Sequence, residues 1–121
     1  MKINFLFFIL ICLLVFAIYD PVKLYTTQSI LNHLKSANKD SILIGAFNAQ
    51  KRKDTLFIPL LLKHISDARI SHHKYFYGIS VHRGCIIALK EISDQEPPNA
   101  ITDMDTVNIN FYRNLLAKYC Q

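Results

Sequence analysis

The sequence predicts an all-α protein: an N-terminal membrane helix followed by a small array of about four helices. Three observations lead there. Ile3 to Tyr19 is an almost uninterrupted apolar run bounded by Lys2 and Asp20, too apolar for the surface of a small soluble domain. Further on, Val81, Cys85, Ala88, Leu89 and Ile92 recur at i, i+4, i+7, i+8 and i+11, the spacing of one narrow helical face. Helix punctuation also recurs. Asp20-Pro21 and Asp40-Ser41 offer capping side chains, and Glu96-Pro97-Pro98-Asn99 stops any helix before it.

The first element is the apolar run. Its 17 residues span about 25 Å as a helix, at the short end for crossing a hydrocarbon core. That is longer than the roughly 7–15 residues of a signal h-region. The positive amino end and Lys2 stay inside, which places Asp20 onward on the far side. Residues 1–19 are therefore expected to be an anchor or signal segment, and residues 20–121 an exported helical domain. The membrane is the first expected partner, through residues 3–19. Val15-Phe16-Ala17 presents small residues where a signal peptidase reads, so cleavage after Ala17, giving a periplasmic or secreted protein, is the alternative. Bulky Ile11 before Cys12 argues against lipidation there.

The helices of the exported part follow in order. One is expected from about Pro21 to Ala37, with Leu24, Ile30, Leu31, Leu34 and Ala37 inward and Lys23 and Lys35 outward. A second, capped by Asp40-Ser41, carries Ile42, Leu43, Ile44, Ala46 and Phe47, and Gly45 leaves a strand as the alternative. The run Lys51-Arg52-Lys53 before Asp54 reads as a solvated turn. Pro59 starts a third helix near Ile58, with Leu61, Leu62, Ile65 and Ala68 on one face. Ile70 to Tyr77 is a polar-aromatic connector ending at Gly78, and the Val81–Ile92 helix follows. The competing α+β reading makes residues 75–92 a hairpin around Arg83-Gly84, although alternation fails from Cys85 to Leu89. Residues 99–105 form an extended loop, and Asp103 or Asp105 caps a last helix bearing Val107, Phe111, Tyr112, Leu115, Leu116 and Tyr119 on one side.

The two central helices resemble a HEAT-type repeat. The residues that carry the resemblance are Ile58-Pro59-Leu60-Leu61-Leu62, Asp67, Val81, Cys85 at a small-residue position, Ala88-Leu89 and Ile92. Ile44-Gly45-Ala46-Phe47 is similar to Ile86-Ile87-Ala88-Leu89 at a spacing of 42 residues, within the roughly 40–47 of such arrays. It is identified as the second helix of a preceding, degenerate repeat. The resemblance implies stacked helix pairs that serve as a binding scaffold, and it implies no catalytic residue.

Composition narrows the function classes. Without Lys2, 13 basic residues face 9 acidic ones, a net charge of +4 that is spread out except at Lys51–Lys53. Nucleic-acid binding needs a basic face interleaved with stacking aromatics, which is not evident. Gly45, Gly78 and Gly84 are the only glycines, so there is no glycine-rich phosphate loop and no cofactor motif. Ser80 and Cys85 lie near His82 without a nucleophile elbow, and Asp94-x-Glu96 and Asp103-x-Asp105 flank helix ends where capping needs them. Catalysis is not expected. The rival reading, a small cell-envelope hydrolase or metal-binding protein, draws on His64, His72, His73 and His82. In an oxidising compartment Cys85 and Cys120 are a candidate disulfide. The expected function is an exported, membrane-tethered protein-binding module of accessory or immunity type. Its candidate surface is Tyr75, Phe76 and Tyr77 with Lys51, Arg52 and Lys53, since consecutive aromatics in a connector cannot all face one core.

Overall fold

The computed structural model describes residues 4–11 and 25–121. Among these it is helical, with one isolated antiparallel bridge and no strand. Residues 4–11 are helical and exposed, and no described helix is long and apolar enough to cross a membrane. The rest of the apolar run lies outside the described residues, with Cys12, the cut after Ala17 and the Asp20-Pro21 cap.

From Tyr25 onward the elements are α1 (Thr27–Lys35), α2 (Lys39–Arg52), a 3-10 turn (Thr55–Phe57), α3 (Ile58–His64), α4 (Val81–Ser93), α5 (Thr106–Leu115) and a final 3-10 turn (Ala117–Cys120). The first helix is shorter than its periodicity suggests. The Thr26 hydroxyl accepts from the Ser29 amide at 3.1 Å and fixes the start, and the chain becomes extended again at Ser36, leaving Ala37 exposed. Ile30 and Leu34 still point inward. Asn38, rather than Asp40 or Ser41, caps α2, accepting from both of their amides at 2.9 and 3.2 Å. That helix runs on to Arg52, so the basic run is its last turn and not a separate linker, and Lys53 closes it at φ 53°.

Asp54 caps the 3-10 turn through the Leu56 amide at 2.9 Å, which drives Phe57 into the core, a burial its sequence context did not announce. Pro59 sits in the first turn of α3, where its missing N–H costs nothing. The helix ends at His64, so Ile65 is buried but Ala68 lies beyond the end and is exposed. In α4, Val81, Cys85, Ala88 and Leu89 are buried as the spacing requires, Ser80 caps the helix, and the hairpin alternative is overturned. Asp105 caps α5, and of the expected face Tyr112 and Leu116 are buried and Phe111 and Tyr119 pack partly against the core, while Val107 and Leu115 are exposed. Asn108 and Ile109 also turn inward, and the Asn108 amide clasps the Asn99 backbone, accepting from its N–H at 3.0 Å and donating to its C=O at 3.1 Å.

Packing organises these helices into two stacked pairs. The chain reverses between α1 and α2 within three residues, and α1 packs on α2, α3 packs on α4, α2 packs on α4 and α1 touches α3. Two glycines let backbones approach. A Cβ at Gly45 would lie 2.8 Å from Leu34 Cγ and 3.0 Å from the Leu34 amide nitrogen, and one at Gly84 would lie 2.5 Å from Leu43 Cδ2. The residue that weakens helix propensity in α2 is therefore the one that seats α1.

The second pair is locked to the first by Asp67 and Arg69. Arg69 Nε and Nη2 bind the Asp67 carboxylate at 3.1 and 2.8 Å, while Nη1 donates to the Ala37 carbonyl at 3.0 Å. The carbonyls of Asp67 and Arg69 then accept the His82 and Val81 amides at 2.8 and 3.0 Å, fixing the start of α4. The Arg69 guanidinium holds the Asp67 carboxyl below the usual carboxylate range.

Two outcomes follow from this packing. Gly45→Ala should lower the unfolding free energy in urea by about 1–2 kcal/mol, because overpacking of about 1–3 kcal/mol outweighs a helix-propensity gain of up to about 1 kcal/mol. A lowered folded pKa means that the Asp67 contribution is complete above its unfolded pKa of about 4 and is lost as pH falls through the folded value. Urea midpoints measured from pH 6 down to pH 2.5 should therefore fall less steeply below pH 4 in Asp67→Asn, which starts from a lower plateau.

Candidate protein-binding face

The connector between α3 and α4 is closed at its neck. Ile70 and Ser80 form the antiparallel bridge. The Ser71 amide donates to the Ile79 carbonyl and the Gly78 amide to the Ser71 carbonyl, both at 2.9 Å. Inside the loop the Phe76 amide donates to the His73 carbonyl at 3.0 Å. Gly78 takes φ +77°, a left-handed conformation that costs other residues about 1–2 kcal/mol. The Ser71 hydroxyl, fully buried, donates to Asp40 Oδ1 at 2.6 Å and accepts from the His73 amide at 3.0 Å. The loop is thus fastened to the first turn of α2 as well as to itself.

This closure sorts the aromatic side chains. Phe76 turns inward and is half-buried against the core, with its ring edge-on to Phe47 at 6.2 Å. Tyr75 and Tyr77 project outward and are 73% and 74% exposed. His73 lies 5.4 Å from the Tyr75 ring and 5.9 Å from Phe76, and His72 lies 6.0 Å from Tyr77. Phe47 is 46% exposed and carries the Lys51 ammonium 4.4 Å above its ring. Lys74 similarly lies 4.9 Å over Tyr75. Phe47 therefore brings the basic end of α2 beside the aromatic connector. Sequence reasoning missed Phe47 and Lys74. The i, i+4 spacing of Phe47 and Lys51 was the available signal.

The basic run divides by role. Lys51 belongs to this face. Arg52 instead turns to the beginning of α1, where Nη2 donates to the Tyr25 carbonyl and Nη1 reaches Thr27 Oγ1 at 3.5 Å. Lys53 stands 3.9 Å from Glu91 in an exposed pair, which contributes little.

The four histidines of the metal reading are not gathered at one point. No group of three or more His, Cys, Asp or Glu able to hold a metal occurs among the described residues. His64 Nε2 donates to the Leu34 carbonyl at 2.6 Å, and fully buried His82 donates through Nδ1 to the Ile65 carbonyl at 2.6 Å. Both therefore satisfy carbonyls near helix C-termini, which lack intrahelical donors. His82 Nε2 and Asp103 Oδ1 are buried without a hydrogen-bond partner.

The other reactive groups are similarly occupied. Ser80 Oγ donates to the Asp103 carbonyl at 2.8 Å while capping α4. Burial pushes the Cys85 thiol up, so it is a neutral core group at physiological pH. Cys85 is buried, Cys120 is exposed, and both are free thiols. Asp105 is held below the usual carboxylate range by the Asn108 amide and then by the Asn99 side chain, consistent with its work as a cap. Tyr112, pushed up to about 12 by burial and then by Glu96, donates its hydroxyl to the Gln95 carbonyl at 2.8 Å.

Two open concavities flank α3, of about 520 and 370 Å³. The first is lined by Asp54, Thr55, Leu56, Pro59 and Tyr119, and Tyr119 also borders the second, which reaches Ile92 and Leu116. Neither gathers the histidines or Cys85. No family model, no curated protein and no solved structure matches this chain.

Proposed function

We propose that the chain is an exported, membrane-tethered module of stacked, HEAT-type helix pairs that binds another protein in an accessory or immunity-type role. The observation that carries this reading is the face of Phe47, Lys51, Lys74, Tyr75 and Tyr77, with two tyrosines about three-quarters exposed on a loop closed by hydrogen bonds. Exposed aromatics held on a pre-ordered loop lose little conformational entropy on binding and anchor interfaces. The HEAT part of the reading is supported by the pairing of α1 with α2 and of α3 with α4, and by the packing of α2 on α4. Those are the relations expected of two successive repeats.

The tether is supported by the apolar run and by the place where the domain begins. Arg52 fastens Tyr25 beside the end of α2, next to the basic end of the proposed face. Residues 20–24 can extend at most about 20 Å between Tyr19 and Tyr25. A bilayer anchor at residues 3–19 would therefore hold this face close to the membrane, facing partners that reside there.

Two measurements test this reading. A photo-crosslinking amino acid at Tyr77 should give a defined protein adduct in the native envelope, and one at exposed Asn110 on α5 should not. Equal labelling from both positions, or none from Tyr77, would overturn the binding face. Intact mass of the mature protein should retain residues 1–19; a chain beginning at Ile18 would replace the anchor by a removed signal.

A further inference from the structure

We infer that the partner meets this face with an acidic, carboxylate-rich protein segment, an inference that rests on the protein-binding reading. Every charged group on the face is a cation. Lys51 and Lys74 lie over aromatic rings, and the ion pairs among the described residues are Lys53–Glu91, Arg69–Asp67 and Lys90–Glu96, so neither lysine is neutralised there. Asp40, the carboxylate hydrogen-bonded to the loop, is half-buried and accepts from the Ser71 hydroxyl.

The hydrogen-bonding inventory points the same way. Two ammonium groups are donors only, and the outward phenols of Tyr75 and Tyr77 carry a donor each. A ligand rich in acceptors and negative charge satisfies such a surface, and carboxylates do so with charge-assisted bonds. The rings beneath the lysines keep the ammonium groups at the surface without cancelling their charge.

A protein segment fits this face better than a lipid headgroup layer. A loop built to enter a bilayer presents its most apolar side chain, yet Phe76 is folded back on Phe47 and the projecting residues are tyrosines with polar tips. The neck hydrogen bonds and the Ser71–Asp40 clasp also hold the loop backbone to itself and to the first turn of α2, which suits a defined segment rather than a fluid surface.

The test uses the full chain in phosphatidylcholine nanodiscs and fluorescein-labelled hexaglutamate and hexalysine peptides, read by anisotropy. Hexaglutamate should bind in a salt-sensitive manner and hexalysine should not. The double variant Lys51→Gln/Lys74→Gln should weaken hexaglutamate roughly five-fold. The charge-matched control Lys35→Gln/Lys63→Gln, at exposed positions on α1 and α3, should leave binding unchanged. Equal loss in both double variants would reduce the effect to net charge and overturn the inference, as would equal binding of the two peptides. Binding to phosphatidylglycerol vesicles in place of hexaglutamate, abolished by the Lys51/Lys74 changes, would reassign the face to lipid. A Tyr77 adduct whose cross-linked stretch contains no carboxylates would overturn the acidic partner while leaving the protein-binding reading intact.

Discussion

Short helices expose carbonyls at their C-terminal ends, and in this domain the need to satisfy those carbonyls governs how the helix pairs meet. An α-helix leaves its last four C=O groups without intrahelical donors, a large share of helices the length of α1 or α3. The domain meets the need with long-range side chains. His64 reaches the Leu34 carbonyl in the last turn of α1 and His82 the Ile65 carbonyl at the end of α3, while Arg69 reaches the Ala37 carbonyl in the extended link that follows α1. The bonds of His64 and Arg69 run from the second helix pair to α1 and the link after it, so the polar requirement and the stacking requirement are met together. Each is a directional bond laid over an apolar contact that is itself indifferent to direction, and together they set which helix ends lie side by side.

That use of polar side chains also decides what remains for function. Histidine, arginine and buried serine are the residues from which catalytic and metal sites are built, and the chain contains enough of them to suggest one. In the folded domain His64, His82, Ser71, Ser80, Arg52 and Arg69 are each committed to a backbone carbonyl, a carboxylate or a helix cap. A group bound in this way is oriented by structure, and freeing it for chemistry would cost the bond it makes, about 1–3 kcal/mol for a buried partner left unsatisfied. Lys51, Lys74, Tyr75 and Tyr77 carry no such commitment, and together they offer cations and phenols to solvent.

The sequence was legible where structure is local. The α4 spacing, the Pro59 start and the aspartate before α5 all depend on neighbours a few residues away, and all appear in the fold. What was not legible depends on distant partners. Phe47 meets Phe76 of the loop from residue 70 to 80, and Asn108 is buried where Asn99 supplies matched backbone groups. Periodicity assigns a polar residue outward and a phenylalanine inward, and it has no access to such contacts. The aromatic connector was recognisable as a candidate from composition alone. Of the three basic residues set beside it, only Lys51 belongs to the face, because Arg52 and Lys53 sit at the helix end, where the former is drawn to Tyr25 and the latter to Glu91.

The rigidity of the connector is the feature that turns exposed tyrosines into more than an accident of surface composition. A loop without internal bonds would bury its aromatics by collapse, since apolar area removed from water returns about 25 cal/mol per Å². Here collapse is opposed by geometry. The Ile70–Ser80 neck and the Ser71–Asp40 bond fix both ends, and Gly78 turns the chain back through a left-handed conformation. Once Phe76 occupies the inward position against Phe47, its two neighbours along the chain are directed outward. The same hydrogen bonds that complete the fold therefore hold Tyr75 and Tyr77 in solvent, and the solvent exposure of those rings is a consequence of the packing rather than a failure of it.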